Sequence, residues 1–239
     1  MIAQEFIQTY KLYHYTTFDS ALKILLTKTL RFGKLANMND IYEQYRQFGY
    51  SVIGTQDLDT IFHNEIAKYK QISLTQDSKN KEGRLGFDIP AMWGHYAEKG
   101  RGVCIVLDAN ILFNRLEKTC SHGTITYNRT HDDVAIDDNI ATIEDVLQYI
   151  INNKKRIFFE KSEDWSYEQE YRIVSSVIDV LDISDCIMCV IIRDENWEDY
   201  NLRRGLLEKI NSDVYLYSNF LGDITVHNGE NQIYPDREL

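Results

Sequence analysis

Three stretches of the chain bring together residue types that do chemistry. The first is Leu12-Tyr13-His14-Tyr15-Thr16, where a strand would place His14 on the same face as Leu12 and Thr16. The second is Gln71-Ile72-Ser73-Leu74-Thr75, followed after a loop by Pro90-Ala91-Met92-Trp93-Gly94-His95-Tyr96-Ala97. The third is Trp165-Ser166-Tyr167-Glu168-Gln169-Glu170-Tyr171-Arg172-Ile173-Val174. Period-2 alternation there puts Glu168, Glu170 and Arg172 on one strand face and Tyr171 and Ile173 on the other. A carboxylate such as Glu170 stabilises positive charge that develops on a sugar during bond cleavage. Glu168, two residues away, would be placed to take a proton from an acceptor. Two close carboxylates repel, which raises the pKa of one of them.

Each stretch also has a plainer structural reading. A single histidine on a strand is often a core residue with one nitrogen satisfied. Trp93, Tyr96 and Ala97 share one helical face, as packing residues do. Glu168, Glu170 and Arg172 read equally as an exposed, salt-bridged polar face.

The order of the three stretches adds a resemblance. Leu12-x-His14, a capped helix, Ile24-Leu25 and then Leu30-Arg31-Phe32 resemble the opening of the diphtheria-toxin-like ADP-ribosyltransferases and the poly(ADP-ribose) polymerases. Glu170-Tyr171-Arg172-Ile173-Val174 resembles the strand that carries their transferase glutamate. Ser73 stands where the polymerases place a tyrosine. Ser73-Leu74-Thr75 looks more like the Ser-Thr-Ser strand of the arginine-directed branch, and Glu168-x-Glu170 like its Glu-x-Glu pair. The resemblance implies a mixed-sheet α+β fold of ADP-ribosyltransferase-like type and NAD as the substrate. It implies that Glu170, His14 and Glu168 are catalytic. It implies that His14, Tyr15, Thr16, Ser73, Thr75 and Tyr96 bind NAD, with Tyr96 stacked on the nicotinamide ring. The acceptor stays open among protein, nucleic acid and small molecule. A non-catalytic nucleotide- or protein-binding module on the same fold is the alternative.

A second resemblance covers more of the chain. Leu12-Tyr13-His14-Tyr15, Asn39-Asp40-x-x-Glu43, Met92-Trp93-x-His95-Tyr96, Gly102-Val103-Cys104-Ile105 and Trp165-x-Tyr167-Glu168-x-Glu170-Tyr171-Arg172 are similar to the bacterial family called domain of unknown function 2971. That similarity names no activity. It suggests a setting in phage defence.

These residues need elements to hold them. Lys11 to Tyr15 reads as a strand, followed by a helix capped by Thr16 or Thr17, with Phe18, Ala21, Leu22 and Leu25 as its apolar stripe. Leu58 to Tyr69 reads as a helix, Gln71 to Thr75 as a strand, and Pro90 opens a helix to about Glu98. Val103 to Leu107 and Gly123 to Tyr127 read as strands and Ile140 to Phe159 as one long helix. Glu170 to Ser176 and Cys186 to Ile192 follow as strands. A helix over Trp197 to Ile210 and strands over Val214 to Tyr217 and Ile224 to His227 end the chain. The expectation is one α+β domain over residues 1–239, with flanking helices and a βαβ-like extension from about residue 183.

Composition sets the bounds. The chain has 239 residues, 44% of them hydrophobic, and a net charge of −11. A chain of this length buries roughly three-quarters of its unfolded surface, so it needs no disulfide or metal for a core. The negative field disfavours non-specific binding to nucleic acid or to anionic membrane. The absence of an apolar span or signal-like start reads as cytoplasmic. Cys186-x-x-Cys189 has metal-like spacing but lacks a second ligand pair, so the cysteines read as ordinary buried thiols. No phosphate-loop, nucleophile-elbow, zincin or dinucleotide fingerprint occurs.

Overall fold

The computed structural model describes residues 6, 8–35, 56–78, 84–116, 118–128, 140–193, 199–211, 213–220, 223–228 and 231–234. In chain order the elements begin with β1 (Lys11–Thr16), α1 (Phe18–Thr27), β2 (Thr29–Arg31), β3 (Gly33–Lys34), α2 (Gln56–Ile66) and β4 (Lys70–Gln76). Next come α3 (Pro90–Tyr96), β5 (Val103–Asp108), α4 (Ala109–Arg115), β6 (Ser121–Thr124), β7 (Thr126–Asn128), α5 (Ile143–Asn152) and α6 (Lys154–Phe158). The last are β8 (Glu160–Ser162), β9 (Glu170–Ser175), β10 (Val180–Asp182), β11 (Ile187–Arg193), α7 (Tyr200–Ile210), β12 (Val214–Phe220), β13 (Asp223–Asn228) and β14 (Asn231–Tyr234). The class is α+β with mixed strand pairing, as the irregular order of strands and helices implies.

The chain divides into two compact units, each discontinuous in sequence. Unit 1 comprises Met1–Leu30, Leu74–Leu116 and Asp182–Leu239, and unit 2 comprises Arg31–Ser73 and Glu117–Leu181. The boundary falls within β4, between Ser73 and Leu74.

Unit 1 is built on a sheet with strand order β14-β13-β12-β11-β5-β1-β4. The pairing β11–β12 is parallel, while β1 is antiparallel to both β4 and β5. A parallel pair needs a crossover, and α7 supplies it, so β11-α7-β12 is the βαβ unit expected near the C-terminus. Strand β5 is buried from Val103 to Leu107 and β11 from Cys189 to Ile192. Both faces of these strands are therefore covered, which is why they read as continuous apolar runs. Thr17 caps α1 by accepting from the Ser20 amide at 3.3 Å, and Phe18, Ala21 and Leu25 are its buried stripe.

Helix α3 starts at Pro90, whose missing amide hydrogen costs nothing at a first helical position. Trp93 anchors it. Its indole N–H donates to the Phe87 carbonyl at 2.8 Å. Its ring stacks on Tyr217 at 5.8 Å and 12° and meets the edge of Tyr15 at 5.2 Å.

In unit 2, β9 lies between β6 and β4, β3 pairs antiparallel with β4, and β7 pairs parallel with β8. Leu35, Phe62, Ile66, Val146, Ile150 and Phe158 are among the residues of its core.

Several expectations are corrected here. The long helix of residues 140–159 is two helices that meet at Asn153, whose backbone N–H and side-chain amide both donate to the Tyr149 carbonyl at 2.9 Å and whose own φ/ψ depart from helical values. The strand expected over Gly123 to Tyr127 is two strands. At Ile125 the chain donates to the Glu170 carbonyl, and at Thr126 to the Phe159 carbonyl, so it exchanges one partner for another. Cys186 precedes β11 instead of opening it. Asn39, Asp40, Glu43 and Trp197 lie outside the described residues.

Candidate functional site

The third stretch forms a charged cluster inside unit 2. Glu163–Glu168 wind into a 3-10 turn, and Gln169 then takes a left-handed conformation, φ 47°. Its side-chain amide donates to the Ser166 carbonyl at 2.7 Å, which holds that conformation. Strand β9 starts only at Glu170. Glu168 is therefore not on the strand face where alternation places it, although it still lies near Glu170. Glu170 and Arg172 do share a face, and that face is not the exposed one of the plainer reading: they are 2% and 0% exposed.

Arg172 grips Glu170 with a fork. Its Nε donates to Oε1 at 2.7 Å and its Nη2 to Oε2 at 3.0 Å. The remaining Nη1 donates to the Phe158 carbonyl at 2.7 Å. Lys161, on β8, donates to Glu168 Oε2 at 2.5 Å and lies 3.5 Å from Glu170 Oε2. Its ammonium also sits 4.7 Å from the centre of the Trp165 ring. Two acids face two bases, so the cluster is neutral, which is the condition for keeping charges out of water.

A polar relay reaches the cluster from β4. Gln71 donates from Nε2 to Ser73 Oγ at 3.1 Å. That leaves the Ser73 hydroxyl hydrogen to bond the Glu170 carboxylate. Ser73 is exposed, so the relay joins solvent to a buried acid. The Glu170 amide donates to the Tyr127 hydroxyl at 2.8 Å.

Burial acts to raise the Glu170 pKa. The charge and hydrogen bonds of Arg172, then Lys161 and Ser73, outweigh it and hold the carboxyl well below its usual range, at about 2. The expected upward shift from a neighbouring carboxylate is thus reversed for Glu170, because Arg172 and Lys161 both stand against its carboxylate. On the opposite face of β9, the Tyr171 hydroxyl and His122 Nδ1 lie 2.6 Å apart, and burial pushes the His122 pKa down.

The other candidate residues belong to unit 1. His14 is half-buried on β1, opposite Ile105 of β5. Tyr15 is buried and its hydroxyl donates to the Gly86 carbonyl at 2.7 Å. Thr16 is half-buried at the end of β1, and Thr75 is buried opposite Tyr13. Tyr96, on the last turn of α3, is half-buried.

The structure therefore joins Ser73, Glu168 and Glu170, from two different stretches, within one unit. It adds Lys161 and Tyr127, which lie in none of the three stretches, and gives Gln71 of the second stretch a partner in Ser73. Lys161 lies nine residues before Glu170, across a 3-10 turn that alternation does not reveal. Among the described residues, no group of three or more His, Cys, Asp or Glu is placed to hold a metal ion. No described helix is long and apolar enough to cross a membrane.

No curated protein and no solved structure matches the chain. Residues 92–173, a segment that includes Tyr96, Lys161, Glu168, Glu170 and Arg172, match the family described as Protein of unknown function (DUF2971).

Proposed function

We propose that the chain is an ADP-ribosyltransferase-like enzyme that cleaves the nicotinamide–ribose bond of NAD and passes ADP-ribose to an acceptor or to water. The observation that carries this reading is the hydrogen bond from Ser73 to Glu170. These two residues come from different stretches, each of which resembles a strand of the arginine-directed transferases. When the bond breaks, its electron pair leaves with the nicotinamide nitrogen and the ribose carbon becomes positive. An ionised, pre-oriented carboxylate lowers the energy of that state, and Glu170 is held ionised by its neighbours. Arg172 and Ser73 orient the carboxylate, and Lys161 adds a second positive charge beside it. Phage defence is the cellular setting in keeping with this reading.

The near-complete burial of Glu170 favours a second reading. On it the cluster is structural, and the chain is a non-catalytic module that binds a nucleotide or a protein. Nicotinamide release from NAD by the full chain, measured beside Glu170→Gln and with NAD binding followed by calorimetry, separates the two. Release that disappears in the variant while binding persists supports the enzyme. Equal release from both proteins removes Glu170 from the chemistry. NAD binding without release from either protein supports the module.

A further inference from the structure

Helix α5 carries one wide apolar arc, part of it buried and part exposed. Val146 and Ile150 are 0% and 2% exposed and pack into the unit 2 core with Phe62 and Phe158. Ile143, Leu147 and Ile151 lie outside, 51%, 41% and 53% exposed. Their spacing of four residues makes them one continuous stripe along the flank of the buried pair. The side of α5 opposite the buried pair carries the exposed Gln148 and Asn152, so the three aliphatic residues widen the apolar arc beyond the core contact and leave that flank open to a partner.

The charges beside the stripe indicate what covers it. Glu144 is exposed at the N-terminal end of α5, and Lys155 is exposed just past its C-terminal end. A thoroughly capped start fixes this polarity: Thr142 and Asp145 form a reciprocal capping box. An antiparallel partner of the same sequence sets the acidic end of each helix against the basic end of the other, and it also opposes the two helix dipoles. A parallel partner sets like ends together. An anionic lipid surface is a poor fit for a stripe that starts with Glu144, in a chain whose net charge is −11.

We infer that α5 is the contact between two copies of this chain, packed antiparallel about a two-fold axis near Leu147. Such an interface is self-complementary. Ile143 of one copy lies against Ile151 of the other, and Leu147 meets its own counterpart. The stripe runs along only ~12 Å of helix, whereas a stable dimer covers about 800 Å² on each partner. The helix pair is thus the centre of the interface, and association falls in the micromolar range.

Sedimentation velocity on the full chain, from about 1 to about 100 μM at roughly physiological salt, tests this. The wild type is expected to pass from monomer to dimer across that range. Leu147→Asp, a change at a half-exposed position, places two carboxylates at the axis and raises the dissociation constant by ~100-fold or more. Ile151→Lys is the second variant should the first lose its circular dichroism spectrum. Glu144→Lys weakens the dimer, and Glu144→Lys combined with Lys155→Glu restores it. A wild type that stays monomeric throughout overturns the inference. So does a dimer that survives in folded Leu147→Asp or Ile151→Lys.

Discussion

Arg172 and Glu170 form a two-pronged ion pair, at 2.7 and 3.0 Å, with neither side chain more than 3% exposed. Neighbours on one face of a strand rarely bury opposite charges unless each is satisfied, and here the Phe158 carbonyl and Ser73 complete the pair. Taking one partner away strands a charge in a low-dielectric interior, which costs about 3–5 kcal/mol. Arg172→Met is therefore expected to lower unfolding free energy by about that much. Glu170→Gln combined with Arg172→Met leaves the Lys161–Glu168 pair intact and no stranded charge. It is expected to be markedly more stable than the sum of the two single changes predicts. Urea unfolding of all four proteins gives the coupling. Additive effects would show that the fork contributes nothing as a pair.

The same pair makes stability depend on pH. Glu170 has a folded pKa below its ordinary value of 4.5, so its contribution is present in full above that value. It is lost as pH falls from about 4.5 towards about 2, because the unfolded chain takes up the proton first. Other carboxylates, Asp145, Asp179, Asp182 and Asp199, are also held low by hydrogen bonds or cations and act in the same direction. Glu170→Gln removes one titrating group and leaves the others. The urea midpoint of the wild type is expected to fall more steeply than that of Glu170→Gln between pH 5 and pH 3. Parallel curves would mean that Glu170 is not ionised in the folded protein.

Most of the framework is legible in the sequence because it rests on strong local signals. Continuous apolar runs mark β5 and β11, and Thr17 with Asp19 marks the start of α1. Pro90 marks the start of α3. The carboxylate cluster is legible only in part. Glu170 and Arg172 follow from alternation, but alternation continues smoothly through residues 165–170 while the chain does not. Gln169 is left-handed there, a conformation that neither glycine nor asparagine announces. Burial of the acidic face is invisible for a different reason. Its compensating charge, Lys161, comes from another strand, so local polarity reads as exposure.

Helix α3 separates packing from binding in two neighbouring aromatics. Trp93 is 0% exposed, bonded to Phe87 and stacked on Tyr217. Trp93→Ala is expected to cost about 3–5 kcal/mol of stability. Tyr96 is half-buried and contacts His95 with ring centres 6.2 Å apart. If Tyr96 stacks on nicotinamide, Tyr96→Ala weakens NAD binding about tenfold, as loss of one base–aromatic stack does, while the melting temperature hardly moves. Calorimetry and thermal unfolding check both halves. A Tyr96→Ala protein that melts like Trp93→Ala and binds NAD normally would place Tyr96 in the core.

Two glycines near this helix should respond in opposite directions to the same substitution. A Cβ at Gly102 would lie 2.3 Å from the Thr16 carbonyl oxygen and 2.7 Å from Ala97 Cα, both backbone atoms. The end of β1 and the residue after α3 approach so closely there that no side chain fits. Rotation of a side chain cannot relieve the clash. Gly102→Ala is expected to destabilise by at least the ~1–3 kcal/mol of ordinary overpacking. Because the displaced strand end carries Thr16 and lies two residues from His14, it should also weaken any ligand held by that strand. Gly94 is exposed within α3 and a Cβ there meets nothing within 4 Å. Gly94→Ala relieves the unfolded chain of conformational freedom and is expected to stabilise by about 0.5–1 kcal/mol. Thermal unfolding of both variants decides the matter: a Gly102→Ala protein as stable as the wild type would mean that β1 and the residues after α3 are not held in the close approach described.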